Sequence, residues 1–280
     1  MPSFEYPANF IRFLGTAGTR FIMLSQRRSS GGIWFSYGGA RGVIDPGPGS
    51  LVRICEARPS LSLYDINTII LTHRHIDHSS DVNALAEGMI LKSRAPRGFI
   101  LATRDALEDG DRVIMRYLLP GIAVTAIHED GKFTSPIGGV TIESVRHSHN
   151  GVECYGCVFR ADGLPSWGVI SDTAPMPGFP SRYGACELLI VNTALMFPRA
   201  NEGHMSLPDV ESLLARTVPA VAAVTHMGAD MLDKGAEYIS RRFSARATKM
   251  IAAEDGMILT LENPITILKP ERVRQSFQEK

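Results

Sequence analysis

Several short apolar runs in this chain end on a residue that can bind a metal. Residues 66–71 lead into His73, 140–145 into His147 and His149, 167–171 into Asp172, and 220–225 into His226. Runs of this length, bounded by polar and turn-forming residues, read as buried strands. Strands whose polar ends are to meet must deliver them to one edge of a sheet, which is where open α/β sheets build their sites. Further strands are expected at 10–14, 33–37, 42–44, 99–102, 123–127, 155–159 and 188–191, and near Met250 and Ile258. Helices are expected at about 50–58, 207–216 and 232–242. Another falls after residue 78, where Val82, Leu85, Ala86, Met89 and Ile90 recur at helical spacing, with Ser79 or Ser80 as cap and Asp81 in the first turn. Alternating strands and helices with neither repeat nor low-complexity linker predict one α/β domain over residues 1–280.

The first of these ends is the densest. Thr72-His73-Arg74-His75-Ile76-Asp77-His78 puts four potential ligands within six residues. If the strand runs on past Leu71, extended backbone sends His73, His75 and Asp77 to one side and His78 to the other. Neighbouring ligands that diverge suit two adjacent cations, with His73 and His75 on the first and Asp77 and His78 on the second. Each remaining candidate is weak alone, because a histidine at a strand end usually just forms hydrogen bonds and an aspartate before threonine usually forms a turn. Their shared placement is what makes Asp172 and His226 ligand candidates. His128, followed by Glu129-Asp130-Gly131, reads as a polar turn outside the site.

Composition narrows the function classes. Lys plus Arg and Asp plus Glu each number 29, so the chain lacks the basic footprint of a dedicated nucleic-acid binder. Met1-Pro2-Ser3-Phe4-Glu5-Tyr6 does not read as a signal peptide, and no apolar stretch is long enough to span a bilayer. The expectation is a cytoplasmic protein without a membrane partner. Cys55, Cys154, Cys157 and Cys186 are too few and too scattered for a disulfide framework. Cys154 and Cys157 have the spacing of a zinc or redox pair but fall in a strand-like run, so they are read as packed thiols.

Taken in order, Phe13-Leu14-Gly15-Thr16-Ala17-Gly18, Ile44-Asp45-Pro46-Gly47, the 73–78 cluster, Ser171-Asp172-Thr173, Gly203-His204-Met205-Ser206 and Thr225-His226 resemble the metallo-β-lactamase superfamily. The likeness is greatest to its branch of tRNase Z and small cyclic-phosphate phosphodiesterases. It implies an αββα sandwich holding two divalent metal ions at one edge, zinc first and manganese or iron as alternatives. Relatives carry a ligand histidine a few residues before an aromatic-glycine step, here Tyr155-Gly156, which favours His149 over His147 for the first metal. Asp172 would bridge the metals, His226 would complete the second, and Asp77 would orient the attacking water as well as ligate. Related enzymes often form homodimers.

Ser206 and Asp209 read as a helix cap, with Val210, Leu213 and Leu214 as the apolar face behind it. His204 then lies beside the positive end of a helix, where an anionic group is favoured. The resemblance gives His204 a role in proton transfer to the leaving group, with simple support of the site as the alternative. Two departures from tRNase Z stand out. Only residues 150–171 separate His149 from Asp172, leaving no room for a tRNA-binding arm, and no acid stands at 192–194 to partner His204.

The expected function is therefore a dinuclear metal-dependent phosphodiesterase using a metal-bridging hydroxide on a small or cyclic phosphodiester, with nucleic acid less favoured. The alternatives are a hydrolase of a lactone, thioester or other carbonyl substrate, and a non-catalytic relative that binds nucleic acid or protein. An electron-transfer di-iron protein fits less well, because His75 stands where its usual set has glutamate.

Overall fold

The computed structural model describes residues 5–91, 97–108, 110–200, 202–242 and 247–268. Residues 1–4 of the opening segment lie outside this range. The first half of the chain runs β1 (Phe10–Phe13), α1 (Thr19–Ser25), β2 (Ile33–Tyr37), β3 (Ala40–Ile44), α2 (Ser50–Cys55), β4 (Thr68–Leu71), α3 (Ile76–Ser79), α4 (Val82–Ile90), β5 (Phe99–Ala102), α5 (Arg104–Leu107) and β6 (Ala123–Ala126). The second runs β7 (Lys132–Thr134), β8 (Thr141–Arg146), β9 (Tyr155–Arg160), β10 (Trp167–Ile170), α6 (Phe179–Tyr183), β11 (Leu188–Asn192), α7 (Leu207–Thr217), β12 (Val221–Thr225), α8 (Ala229–Lys234), α9 (Ala236–Arg241), β13 (Lys249–Ala252), β14 (Ile258–Thr260) and β15 (Ile267–Leu268).

These strands form two sheets, ordered β15-β14-β1-β2-β3-β4-β5-β6 and β13-β12-β11-β10-β9-β8-β7. Aromatic and branched side chains from both sheets, among them Phe13, Phe35, Tyr37, Phe159, Trp167 and Leu188, make the core between them. At its centre Phe159 and Trp167 stack at 3.9 Å, and the Tyr37 hydroxyl donates to the Pro165 carbonyl at 3.0 Å. A second apolar layer joins β10–β13 to α6, α7, α8 and α9; a third joins β3–β5 to α2, α4 and α5. The architecture is the expected αββα sandwich of the metallo-β-lactamase fold. Among the described residues, no helix is long and apolar enough to cross a membrane.

Strand direction puts the candidate residues on one edge. β10, β11, β12 and β13 are parallel, and β8 points the same way because β9 runs antiparallel to both β8 and β10. In the other sheet β3, β4, β5 and β6 are parallel. Parallel strands covered on both sides read as near-continuous apolar runs, and every residue of β4, β11 and β12 is buried, with polar side chains only at their ends, Thr68, Asn192 and Thr225. The candidate ligands His73 and His226 follow just beyond the C-terminal ends of β4 and β12.

Three local expectations change. The strand after β3 does not run on past Leu71: β4 stops there, and Asp77 and His78 lie on the one-turn helix α3. The helix expected over 232–242 is two helices, broken where Gly235 takes φ +82°, a conformation only glycine adopts without strain. Asp81 precedes α4 instead of lying in its first turn, and neither Ser79 nor Ser80 caps it. The Asp81 carboxylate instead accepts from the Leu51 amide in the first turn of α2 at 2.9 Å.

Candidate metal centre

Beyond Leu71 the chain is held by Asp45, which follows β3. Its carboxylate accepts from the Thr72 amide at 2.7 Å and from the Thr72 hydroxyl at 2.7 Å, and that hydroxyl also meets Ser171 Oγ at 2.7 Å. His75 remains extended at φ −58°, ψ 146°, and α3 begins directly after it. His75 thus projects from extended chain, while Asp77 and His78 leave a helical turn. That change of backbone, rather than strand alternation, separates His75 from Asp77 and His78.

The ligand atoms of His73, His75 and His149 lie within 4.8 Å of one another, as do those of Asp77, His78 and His226, and those of His149, Asp172 and His204. Asp172 sits at the junction. Its Oδ2 is 3.4 Å from His78 Nε2, 3.5 Å from His226 Nε2, 3.7 Å from His149 Nε2 and 3.7 Å from His204 Nδ1. The structure therefore assembles every sequence-predicted site residue in one place. His147 stays apart: it is buried beside the site with Nε2 3.0 Å from the Tyr183 hydroxyl. His128 is exposed and belongs to none of the clusters.

The donors fit divalent cations. His149 Nδ1 is 2.7 Å from the Gly203 carbonyl, which can only accept, so the proton sits there and Nε2 keeps its lone pair. That lone pair faces His75 Nδ1 at 3.1 Å. His78 Nδ1 is likewise 3.0 Å from Asp45 Oδ2, and its Nε2 faces His226 Nε2 at 3.1 Å. His73 Nε2 is buried without a hydrogen-bond partner. Converging lone pairs and an orphaned ring nitrogen beside buried carboxylates are what a cation would satisfy.

The protein's own electrostatics keep His73 and His75 neutral but favour a proton on His78, which a bound cation would displace. Burial, reinforced by His78, holds His73 well below the usual histidine pKa; burial and His149 lower His75. Burial disfavours a charged Asp172, yet His226 and His78 outweigh it and keep the carboxylate well below its usual range. Asp77 is lowered in the same way, against burial, by His78 and His226. His78 is raised well above its usual value because Asp172 and Asp77 overcome burial. His204 is pushed down to about 4, chiefly by burial.

Glycines permit the close approach of the loops. A Cβ on Gly18 would stand 2.0 Å from the His226 carbonyl oxygen, and one on Gly47 would stand 2.0 Å from that of Asp77. A Cβ on Gly156 would meet the Tyr183 hydroxyl at 2.1 Å and His147 Cε1 at 2.6 Å. The Tyr155-Gly156 step thus makes room for the His147–Tyr183 pair. Ser206 and Asp209 form the expected capping box of α7, with the Ser206 amide donating to Asp209 at 2.9 Å.

Sequence reading left Asp45, Thr72, Ser171 and Asn192 without roles. Asp45 carried a usable signal, since it too directly follows a strand and lies in the Ile44-Asp45-Pro46-Gly47 stretch. The thiols of Cys154, Cys157 and Cys186 are buried, free and outside the clusters. Burial pushes all three up, Cys186 to about 12.

Comparison with known proteins adds three findings. Residues 41–227 match the β-lactamase superfamily domain. An uncharacterized protein of Methanocaldococcus jannaschii is 26% identical over 265 residues, covering 90% of this chain and 95% of its own length, and a ribonuclease Z of Methanopyrus kandleri is 30% identical over 113 residues, 38% of each chain. Among solved structures, a diphosphatase from the PhnP family superposes with a TM-score of 0.67 at 19% identity, covering 91% of this chain and 98% of that one.

Proposed function

The chain belongs to the β-lactamase superfamily, and from that membership we propose that it is a dinuclear metal-dependent phosphodiesterase acting on a small or cyclic phosphodiester. The observation that carries this reading is the position of Asp172 Oδ2, within 3.7 Å of ring nitrogens from both clusters. His73, His75 and His149 would hold one cation and Asp77, His78 and His226 the other, with Asp172 on both. Zinc is the first expectation, manganese and iron the alternatives, because imidazole and carboxylate suit all three. Two such cations would lower the pKa of a water towards roughly 7 and neutralise charge developing on a phosphoryl oxygen.

The chain's own side chains do the rest. Asp77 directs one oxygen towards His226 at 3.4 Å and is placed to accept a hydrogen bond from the attacking water. His204, its side chain 16% exposed, is pushed towards the neutral form by burial, so it would serve the departing oxygen only after taking up a proton, which an anionic substrate group beside it would favour. The N-terminal end of α7, three residues on, adds partial positive charge near the place of an anionic substrate group.

Substrate size follows from what the chain omits. Residues 150–171 are taken up by β9, β10 and their turns, so nothing protrudes between His149 and Asp172 to hold a folded RNA. The diphosphatase and ribonuclease Z likenesses favour phosphoryl over carbonyl chemistry. The test is parallel assay of metal-free protein reconstituted with zinc, manganese or iron against bis(p-nitrophenyl) phosphate, cyclic nucleotides, lactones and thioesters. Metal-dependent phosphodiester cleavage, lost in His75→Ala, is expected. Turnover of lactones or thioesters with none of phosphodiesters would replace this reading with the carbonyl one.

A further inference from the structure

Asp172 has two carboxylate oxygens, and only Oδ2 faces the ring nitrogens. The other, Oδ1, accepts a hydrogen bond from Asn192 Nδ2 at 2.8 Å, and both residues are buried. Asn192 is the last residue of β11, the strand between β10, which leads to Asp172, and β12, which leads to His226. It is fixed in register opposite Thr225, the residue before His226. A carboxylate only accepts hydrogen bonds, so the amide NH2 must face it.

Free to turn about its last torsion, an aspartate can close on a single cation with both oxygens and leave the other without a bridge. A donor on Oδ1 removes that choice. The sequence at 192–194 gains a reason as well: an acid at Asn192 would bury a second carboxylate against Asp172, and like charges at such range disfavour ionisation of both.

We propose that Asn192 is a positioning residue that occupies Asp172 Oδ1, so that Oδ2 alone serves both cations and keeps them magnetically coupled. This rests on the two-cation reading above. It is tested by adding manganese(II) chloride to metal-free protein and recording binding isotherms and electron paramagnetic resonance spectra at one and two equivalents. The wild type should bind two equivalents and show a spin-coupled spectrum at the second. Asn192→Leu, which keeps side-chain bulk without a donor, should bind the first equivalent as the wild type does, bind the second about 10–100-fold more weakly, and lose the coupled spectrum. Asn192→Ala should behave alike and serves if the leucine variant does not fold, with circular dichroism and thermal melting as the check. A folded variant with the second affinity and the coupled spectrum intact would overturn the role of Asn192 alone. A wild type that binds one equivalent, or shows no coupling at two, would overturn the two-cation reading and this proposal with it.

Discussion

His73, His75 and His149 make a cluster of three imidazoles, whereas Asp77, His78 and His226 mix a carboxylate with two rings. The first is anchored by neutral groups: Gly203 carbonyl on His149 and the Thr72 hydroxyl, 3.1 Å from His73 Nδ1. The second is anchored by charge and strain. Asp45 holds His78, and His226 takes φ +56° against Gly18. Burial keeps His73 and His75 uncharged, while the surrounding carboxylates favour a protonated His78. Two sites a few ångströms apart thus balance charge differently. The neutral cluster would leave a cation's charge to be met by Asp172, and the mixed cluster supplies part of the compensation itself.

The largest expected effect comes from removing the oxygen the clusters share. Asp172→Ala should abolish phosphodiester turnover and drop metal content below two per chain by elemental analysis; two retained ions would mean that the clusters are independent. His204 borders His149 and Asp172 but is not one of the proposed ligands, so in His204→Ala metal content should hold while kcat falls about 10²–10⁴-fold. That loss should be largest for poor leaving groups, and an equal loss with p-nitrophenolate would exclude a proton-donor role. Asp45→Asn should weaken the mixed cluster about 10–100-fold in competition titrations and the imidazole cluster less, since Asp45 reaches His73 through Thr72. Tyr183→Phe should have the smallest effect. It leaves His147 Nε2 without its partner, costing about 1–3 kcal/mol in denaturant unfolding, with metal content unaltered; loss of metal would bring His147 into the first cluster.

Much of this centre is legible in the sequence because its ligands lie close along the chain or at the ends of apolar runs. Strands β4, β10 and β12 announce themselves as short runs buried throughout, β8 by alternation of buried and part-buried residues at its start, and α4 and α7 by a single apolar face. The helix α1 does not, since Phe21 and Leu24 are exposed and only Ile22 is buried, leaving no amphipathic pattern to read. β7 and β15, at three and two residues, are too short to carry a period. The choice of His149 over His147 needed the resemblance, since both follow β8, and only packing around Gly156 shows where each ring goes. Asp45 and Asn192 act on residues 33 and 20 positions away, so their hydrogen bonds exist only once the strands are paired.

Titrating metal-free protein with manganese(II) while following hydrolysis of bis(p-nitrophenyl) phosphate bears most directly on a carboxylate-bridged pair of cations doing phosphodiester chemistry. Turnover should stay low through the first equivalent and rise steeply with the second. Full activity at one equivalent, or none at two, would contradict it.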